Sequence, residues 1–263
     1  MILNKIKNSI QEPRITLVGA GPGDPDLISL KGVKALQTAD VVLYDALVNG
    51  ALLNHAPEHA IKIFVGGQSD GESFSQDAVN KLMIDYALNY GHVVRLKSGD
   101  PFVFAKGFEE VSFAESYSIK TEIVPGISSA IGVPGLQKIP MIYGNMSESF
   151  WVLPGVNSKG ELTSDLKGAA KSKATVVVLM GIERIREIAA IFIAEGKDRL
   201  PVAVIENGSA NDEKIRVGVV ETIAELIEEH KISSPALLVF GEVVSLHPAF
   251  DRIRDFYHII AEA

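Results

Sequence analysis

The sequence predicts an α/β protein with two sheet-containing halves, and three observations carry that expectation. From residue 15 to about 125, short β-branched and apolar runs alternate with segments of helical period, the pattern of a mainly parallel sheet with helices on its faces. Beyond about residue 137 two strands adjoin with no helical segment between 201 and 220, which predicts a mixed or partly antiparallel sheet. The third observation is Ile-Thr-Leu-Val-Gly-Ala-Gly-Pro-Gly-Asp at 15–24, a strand that runs straight into a turn with three glycines and a proline. Glycine lets a backbone turn tightly and approach a ligand, so this turn places a binding site at the C-terminal end of the first strand.

Taken in order, Leu27, Ile28, Leu30, Val33 and Leu36 fall near helical spacing and predict a helix over about 26–38, with Asp24 or Asp26 as N-cap. Residues 41–44 and 61–65 read as buried strands, the first ending at Asp45 and the second at Gly66-Gly67. The helical period returns over 75–90 through Val79, Leu82, Met83, Tyr86 and Ala87 and stops at Gly91. A strand at 93–96 leads into Lys97-Ser-Gly-Asp-Pro-Phe102; a helix over 107–117 and a strand at 121–124 follow, the latter meeting Pro125-Gly126. The second half offers strands at 150–153, 174–179, 201–205, 215–220 and 235–240, and helices near 182–195 and 221–230. The expected organisation is a leader at 1–13, an N-terminal α/β domain at 14–125, a joint at 126–136 and a C-terminal α/β domain at 137–263.

Composition excludes several function classes. The 263 residues carry a net charge of −8, and no basic cluster is interleaved with aromatics, which argues against a nucleic-acid surface. No apolar run approaches the roughly 18 residues that span a bilayer. The first dozen residues lack the apolar core and cleavage site of a secretory signal, so the chain reads as cytoplasmic. Without cysteine there is no disulfide and no thiolate site, and the histidine pair His55 and His59 is interrupted by Pro57, so no metal centre is expected.

In parallel sheets ligands bind beyond the C-terminal strand ends, a rule that gathers the loops 19–24, 45–50, 66–70, 97–104 and 125–130 on one edge. They bring Asp24, Asp45, Asp100, Ser128 and Ser129 together among glycines, the composition of a cleft. A dinucleotide fingerprint needs G-x-G-x-x-G opening into a helix, and Pro22 and Asp24 depart from it, so a nicotinamide-dependent oxidoreductase rests on Gly19-x-Gly21 alone.

Seven segments in order over about 14–246 give a more specific answer: Val18-Gly-Ala-Gly-Pro-Gly-Asp24, Ala39-Asp-Val-Val-Leu-Tyr-Asp45, Arg95-Leu-Lys-Ser-Gly-Asp-Pro-Phe-Val-Phe104, Val124-Pro-Gly-Ile-Ser-Ser129, Leu179-Met-Gly181, Glu206-Asn-Gly208 and Ser234-Pro-Ala236. Together they resemble the tetrapyrrole methylases. The resemblance implies two αβα domains with the cofactor cleft between them, a homodimer, and S-adenosylmethionine as methyl donor with S-adenosylhomocysteine as product. It implies methyl transfer to two carbons of uroporphyrinogen III, giving precorrin-2 on the way to sirohaem or cobalamin. Carried over by position, the cofactor contacts are Pro22, Ser98, Gly99, Asp100, Val103, Ser128, Ser129, Met180, Gly208 and Ala236, and the proton-accepting Asp is Asp45. Plain structural readings stand beside these: Asp100 before Pro101 suits a turn cap, Met180 suits core packing, and Asp45 suits a cap of the segment 46–53.

The chain departs from the family pattern at the substrate end. The Arg that follows Tyr-Asp is Ala46 here, the Lys after Val-Gly is Gly67, an Arg in the loop after Phe-Val-Phe is Lys106, the Thr-His-Arg-Gly segment is Ile142-Tyr-Gly-Asn145, and the glycine before Gly99 is Ser98. Uroporphyrinogen is a polycarboxylate, so these positions leave Lys106, Lys97 and Tyr143, with Arg95 and Lys138, as the groups to hold it. The alternatives are a less acidic tetrapyrrole substrate, or cofactor binding without turnover.

Overall fold

The computed structural model describes residues 12–66 and 74–251. The chain divides into two compact units between Ser128 and Ser129. In the first, β1 (Arg14–Gly19), β2 (Val41–Tyr44), β3 (Ile61–Phe64), β4 (His92–Lys97) and β5 (Lys120–Val124) alternate with α1 (Leu30–Leu36), α2 (Gln76–Tyr90) and α3 (Gly107–Ser116). The strands form one sheet in the order β3-β2-β4-β1-β5, every neighbouring pair parallel. Parallel strands need crossovers that cover both sheet faces, and the burial follows. Ile15, Leu17, Val41, Leu43 and Val93 pack against Val79, Met83 and Ala87 of α2 and Val111 and Ala114 of α3. Val18, Val42, Val94 and Leu96, one residue out of phase, pack with Leu36 of α1 on the other face.

In the second unit α4 (Ser129–Leu136), β6 (Phe150–Pro154), α5 (Asp165–Lys171), β7 (Thr175–Leu179), α6 (Ile185–Ala194), β8 (Pro201–Glu206), β9 (Lys214–Val219), α7 (Ile223–Glu229) and β10 (Ala236–Phe240) follow in order. The sheet runs β6-β7-β10-β8-β9, with β6 and β7 parallel and the remaining pairs antiparallel, the mixed sheet that the missing helix between 201 and 220 predicts. It too is covered on both faces by apolar side chains, with Phe192 of α6 stacked on Phe240 of β10 at 4.4 Å between ring centroids.

One expectation needs correction. The helix over 26–38 is divided: Asp24 caps a short 3-10 turn at Pro25–Leu27 through a 2.9 Å bond from Asp26 N, Ile28 is extended, and Ser29 caps α1 by accepting from Gly32 N at 3.1 Å. Each oxygen serves only the orphan amides directly beyond it, so a second cap in register starts a second helix. The stretch 126–136 contains α4, in which Pro134 follows a turn already wound. Residues 1–11 of the leader lie outside the described residues.

At the N-terminal edge of the first sheet, His92 is 2% exposed, its ring bonded to Thr16 Oγ1 at 2.9 Å and to the Thr38 carbonyl at 2.8 Å. Burial holds its imidazole below the usual range, helped by the charge of Arg14 and opposed by the Thr38 carbonyl, Asp40 and Glu122. The unfolded chain therefore binds the proton more readily. Stability is full above the unfolded value of about 6.5 and is lost as the pH falls from there through the lowered folded value. Urea titrations at pH 7.5 and 5.0 should show a smaller acid loss in His92→Gln than in the wild type; an equal loss assigns the acid sensitivity elsewhere.

Candidate active site

The parallel first sheet puts the C-terminal ends of β1 to β5 on one edge, and backbone contacts tie three of them together. Ala20 N donates to Lys97 O at 2.8 Å, and Gly21 and Gly99 exchange backbone bonds of 3.2 and 2.8 Å. A Cβ on Gly19 would lie 2.5 Å from Gly126 Cα, and one on Gly126 would lie 2.1 Å from Gly99 O. No side chain fits between these turns, which is why the sequence has glycine there. The turns after β2 and β3 meet in the same way, since a Cβ on Gly66 would lie 2.3 Å from Ala46 N. Gly67 lies outside the described residues.

Pro22, Ser98, Gly99, Asp100, Val103 and Ser128 all fall on this edge. Pro22, Ser98, Gly99, Asp100 and Ser128 are half-buried and Val103 is exposed. Asp100 does cap a turn, accepting from Phe102 N at 2.8 Å through Oδ1, and it also accepts from Gly126 N at 3.0 Å through Oδ2. It therefore ties the loop after β4 to the loop after β5, and each carboxylate oxygen keeps a further acceptor site.

Asp45, at the end of β2, is not the cap of the segment beyond it. Asn49 takes that role, accepting from Ala51 N at 3.0 Å, while its amide donates to Gly23 O at 3.1 Å. The Asp45 carboxylate is 25% exposed and forms an ion pair through Oδ1 with Nη2 of Arg95. Arg95 and Lys97 are two apart in β4, so they share the sheet face covered by α2 and α3, and both are buried. Buried cations require partners, and Glu110 of α3 supplies one: its Oε1 lies 3.1 Å from Arg95 Nε and 3.0 Å from Lys97 Nζ. Burial pushes the Lys97 ammonium below the usual lysine range, Arg95 adds to that, and Glu110 and Asp45 oppose it.

The structure thus places Lys97 differently from the expectation that it holds substrate: its ammonium is in the interior on Glu110, whereas Lys106 is exposed. Sequence reasoning missed Glu110. The available signal was a pair of cations on the buried face of a strand, which demands an acid on a covering helix.

In the second unit the C-terminal ends of β7 and β8 and the start of β10 share one sheet edge, because β10 runs antiparallel to both. Met180, Gly208 and Ala236 sit there. Met180 is 55% exposed with φ +53°, so core packing does not account for it. Gly208 follows Asn207, whose N donates to Pro235 O at 2.9 Å, and a Cβ on Gly208 would lie 2.4 Å from Val133 Cγ1 of α4. Ser129 begins α4 and is half-buried. Tyr143 is 56% exposed, in a turn closed by its bridge to Ser147.

A cavity of about 630 Å³ lined by Arg14, Asp40, His59 and Lys120 opens at the opposite edge of the first sheet, away from these residues. Among the described residues no cluster of metal-ligating side chains occurs, and no helix is long and apolar enough to cross a membrane.

Comparison with known proteins names the fold. The family profile of the tetrapyrrole (corrin/porphyrin) methylases matches residues 14–224. A uroporphyrinogen-III C-methyltransferase of Methanocaldococcus jannaschii is 37% identical over 235 residues, 89% of this chain and 97% of that one. An S-adenosyl-L-methionine-dependent uroporphyrinogen III methyltransferase of Methanosarcina barkeri is 38% identical over 244 residues, covering 92% and 96%. The solved structure of the Thermus thermophilus uroporphyrin-III C-methyl transferase complexed with S-adenyl homocysteine aligns with a TM-score of 0.76 at 36% identity, over 89% of this chain and 94% of that one. With the family profile matched over most of its length and relatives 37–38% identical over 89–92% of it, the chain belongs to the tetrapyrrole (corrin/porphyrin) methylases.

Proposed function

We propose that this chain is an S-adenosylmethionine-dependent C-methyltransferase that acts on uroporphyrinogen III to give precorrin-2. The observation that carries the reading is a guanidinium-anchored Asp45 at the same strand edge as the glycine-knit turns of β1, β4 and β5. The named activities of its relatives support the same substrate.

The turn residues fit the cofactor's chemistry. A Cβ on Gly99 would meet only Ser128 Cα, at 3.9 Å, so a ligand can approach that backbone closely. Ser98 and Ser128 offer small hydroxyls, and Asp100 keeps acceptor sites for a ribose hydroxyl or an ammonium. The proposed contacts are Pro22, Ser98, Gly99, Asp100, Val103 and Ser128 in the first unit and Ser129, Met180, Gly208 and Ala236 in the second. When bound, S-adenosylmethionine supplies an electrophilic methyl group on a sulfonium. The chain's own contribution is to align the acceptor carbon and to take up the proton that the pyrrole loses, at a carboxylate oxygen of Asp45. Lys106 and Tyr143, both exposed, are the proposed substrate contacts. The same reading carries a homodimer in a reducing cytoplasm, which a chain without cysteine suits.

A second reading rests on Ala46, Gly67 and Gly144, which stand where the family pattern has basic residues: binding of the cofactor without turnover, or action on a less acidic ring. Anaerobic incubation with uroporphyrinogen III and methyl-labelled S-adenosylmethionine separates the two. Two labelled methyl groups in the tetrapyrrole are expected, and S-adenosylhomocysteine, unlike NAD, should raise the melting temperature. Stabilisation without incorporation favours the second reading.

A further inference from the structure

Glu110 is fully buried, yet all its described bonds fall on one oxygen. Oε1 accepts from Arg95 Nε at 3.1 Å, Lys97 Nζ at 3.0 Å and Gln76 Nε2 at 3.2 Å, and Gln76 also donates to Asn80 Oδ1 at 2.9 Å. Oε2 is buried with no hydrogen-bond partner among the described residues. On the other side Arg95 Nη2 meets Asp45 Oδ1, while Nη1 faces the carbonyls of Leu43 and Leu96 at 3.5 and 3.4 Å. A chain of charge contacts thus runs from Glu110 of the covering helix, along the covered face of the sheet, to the carboxylate at its edge. Its formal charges cancel, two acids against two cations.

Resting on the function proposed above, we infer that Glu110 is a positioning residue for Asp45. Arginine has a long, mobile stem, and two guanidinium edges could offer themselves to Asp45. Holding Nε on Glu110 leaves the Nη2 side as the edge that faces Asp45. Lys97 lies two residues further along the same strand face and would otherwise compete for Asp45; Glu110 retains its ammonium in the interior. Asp45 is then left with one guanidinium contact through Oδ1 and a partly exposed side chain for proton uptake. Uncompensated buried charge has a large desolvation cost, so an acid at this depth between two cations is consistent with a fixed orientation.

The test uses the whole chain with Glu110→Gln, the charge-balanced pair Glu110→Gln with Lys97→Met, Asp45→Asn, and the exposed Glu109→Gln as surface control. Glu110→Gln should lower kcat at least about tenfold with KM for S-adenosylmethionine within about twofold, the split expected when orientation and not binding is lost. The paired variant should recover the melting temperature but only part of kcat, because Lys97 no longer competes for Asp45 while Arg95 Nε still lacks its anionic partner. Adding Glu110→Gln to Asp45→Asn should cost little more, because both act on one proton transfer. Full recovery of kcat together with stability, or full multiplication of the two losses, overturns the inference. The Asp45 carboxyl carbon, followed by NMR without substrate, should move in both Glu110 variants and stay in place in Glu109→Gln. An unmoved resonance overturns the positioning role, whereas absence of turnover in the wild type overturns only the assigned reaction.

Discussion

Asp45→Asn should lower methyl transfer to uroporphyrinogen by about 100- to 10,000-fold, the range lost with a general acid–base group. Binding of S-adenosylhomocysteine should stay within about twofold, since Asp45 is not among the proposed cofactor contacts. The substitution is chosen for what it preserves. An amide oxygen still accepts from Arg95, so that guanidinium keeps an acceptor and the end of β2 keeps its shape. What disappears is the carboxylate proposed to take up the pyrrole proton. Steady-state rates with label incorporation, beside calorimetric titration of S-adenosylhomocysteine, read the two quantities separately. A rate within about fivefold of wild type would reduce Asp45 to the outer end of an ion pair.

Gly126→Ala should destabilise the protein by about 1–3 kcal/mol or more and abolish cofactor binding. The new Cβ would sit 2.1 Å from Gly99 O and 2.7 Å from Gly19 Cα, and both neighbours are backbone, so no rotamer change relieves the overlap. The turns after β1, β4 and β5 must separate, and the Asp100 bond to Gly126 N goes with them. A melting temperature roughly 5–10 °C lower is expected, together with loss of stabilisation by S-adenosylhomocysteine. Gly50→Ala is the control, because a Cβ there meets nothing within 4 Å. If Gly126→Ala melts and binds like Gly50→Ala, close approach of the three turns is not what holds the site.

The sequence alone carried the αβ alternation, the parallel first sheet and the mixed second one, because strand and helix periods and the presence or absence of a crossover are local properties. It also marked the strand edge where the turns approach, since glycine clusters at strand ends mark close backbone approach, and ordered motifs pointed to the family. Helix starts were less legible: Asp24 and Ser29 are both good caps, and only the extended Ile28 between them decides that each starts its own turn. Glycine identities were visible, but not that Gly19, Gly99 and Gly126 answer one another across three strand ends. Least visible was charge. Lys97 and Lys106 look alike as residues, yet one is buried on Glu110 and the other is exposed. Which face of a strand is covered, and by which helix, depends on contacts between residues distant in sequence. The low dielectric beneath that cover demands a partner for each charge, so a lysine that looks suited to holding substrate is paired with Glu110 in the interior.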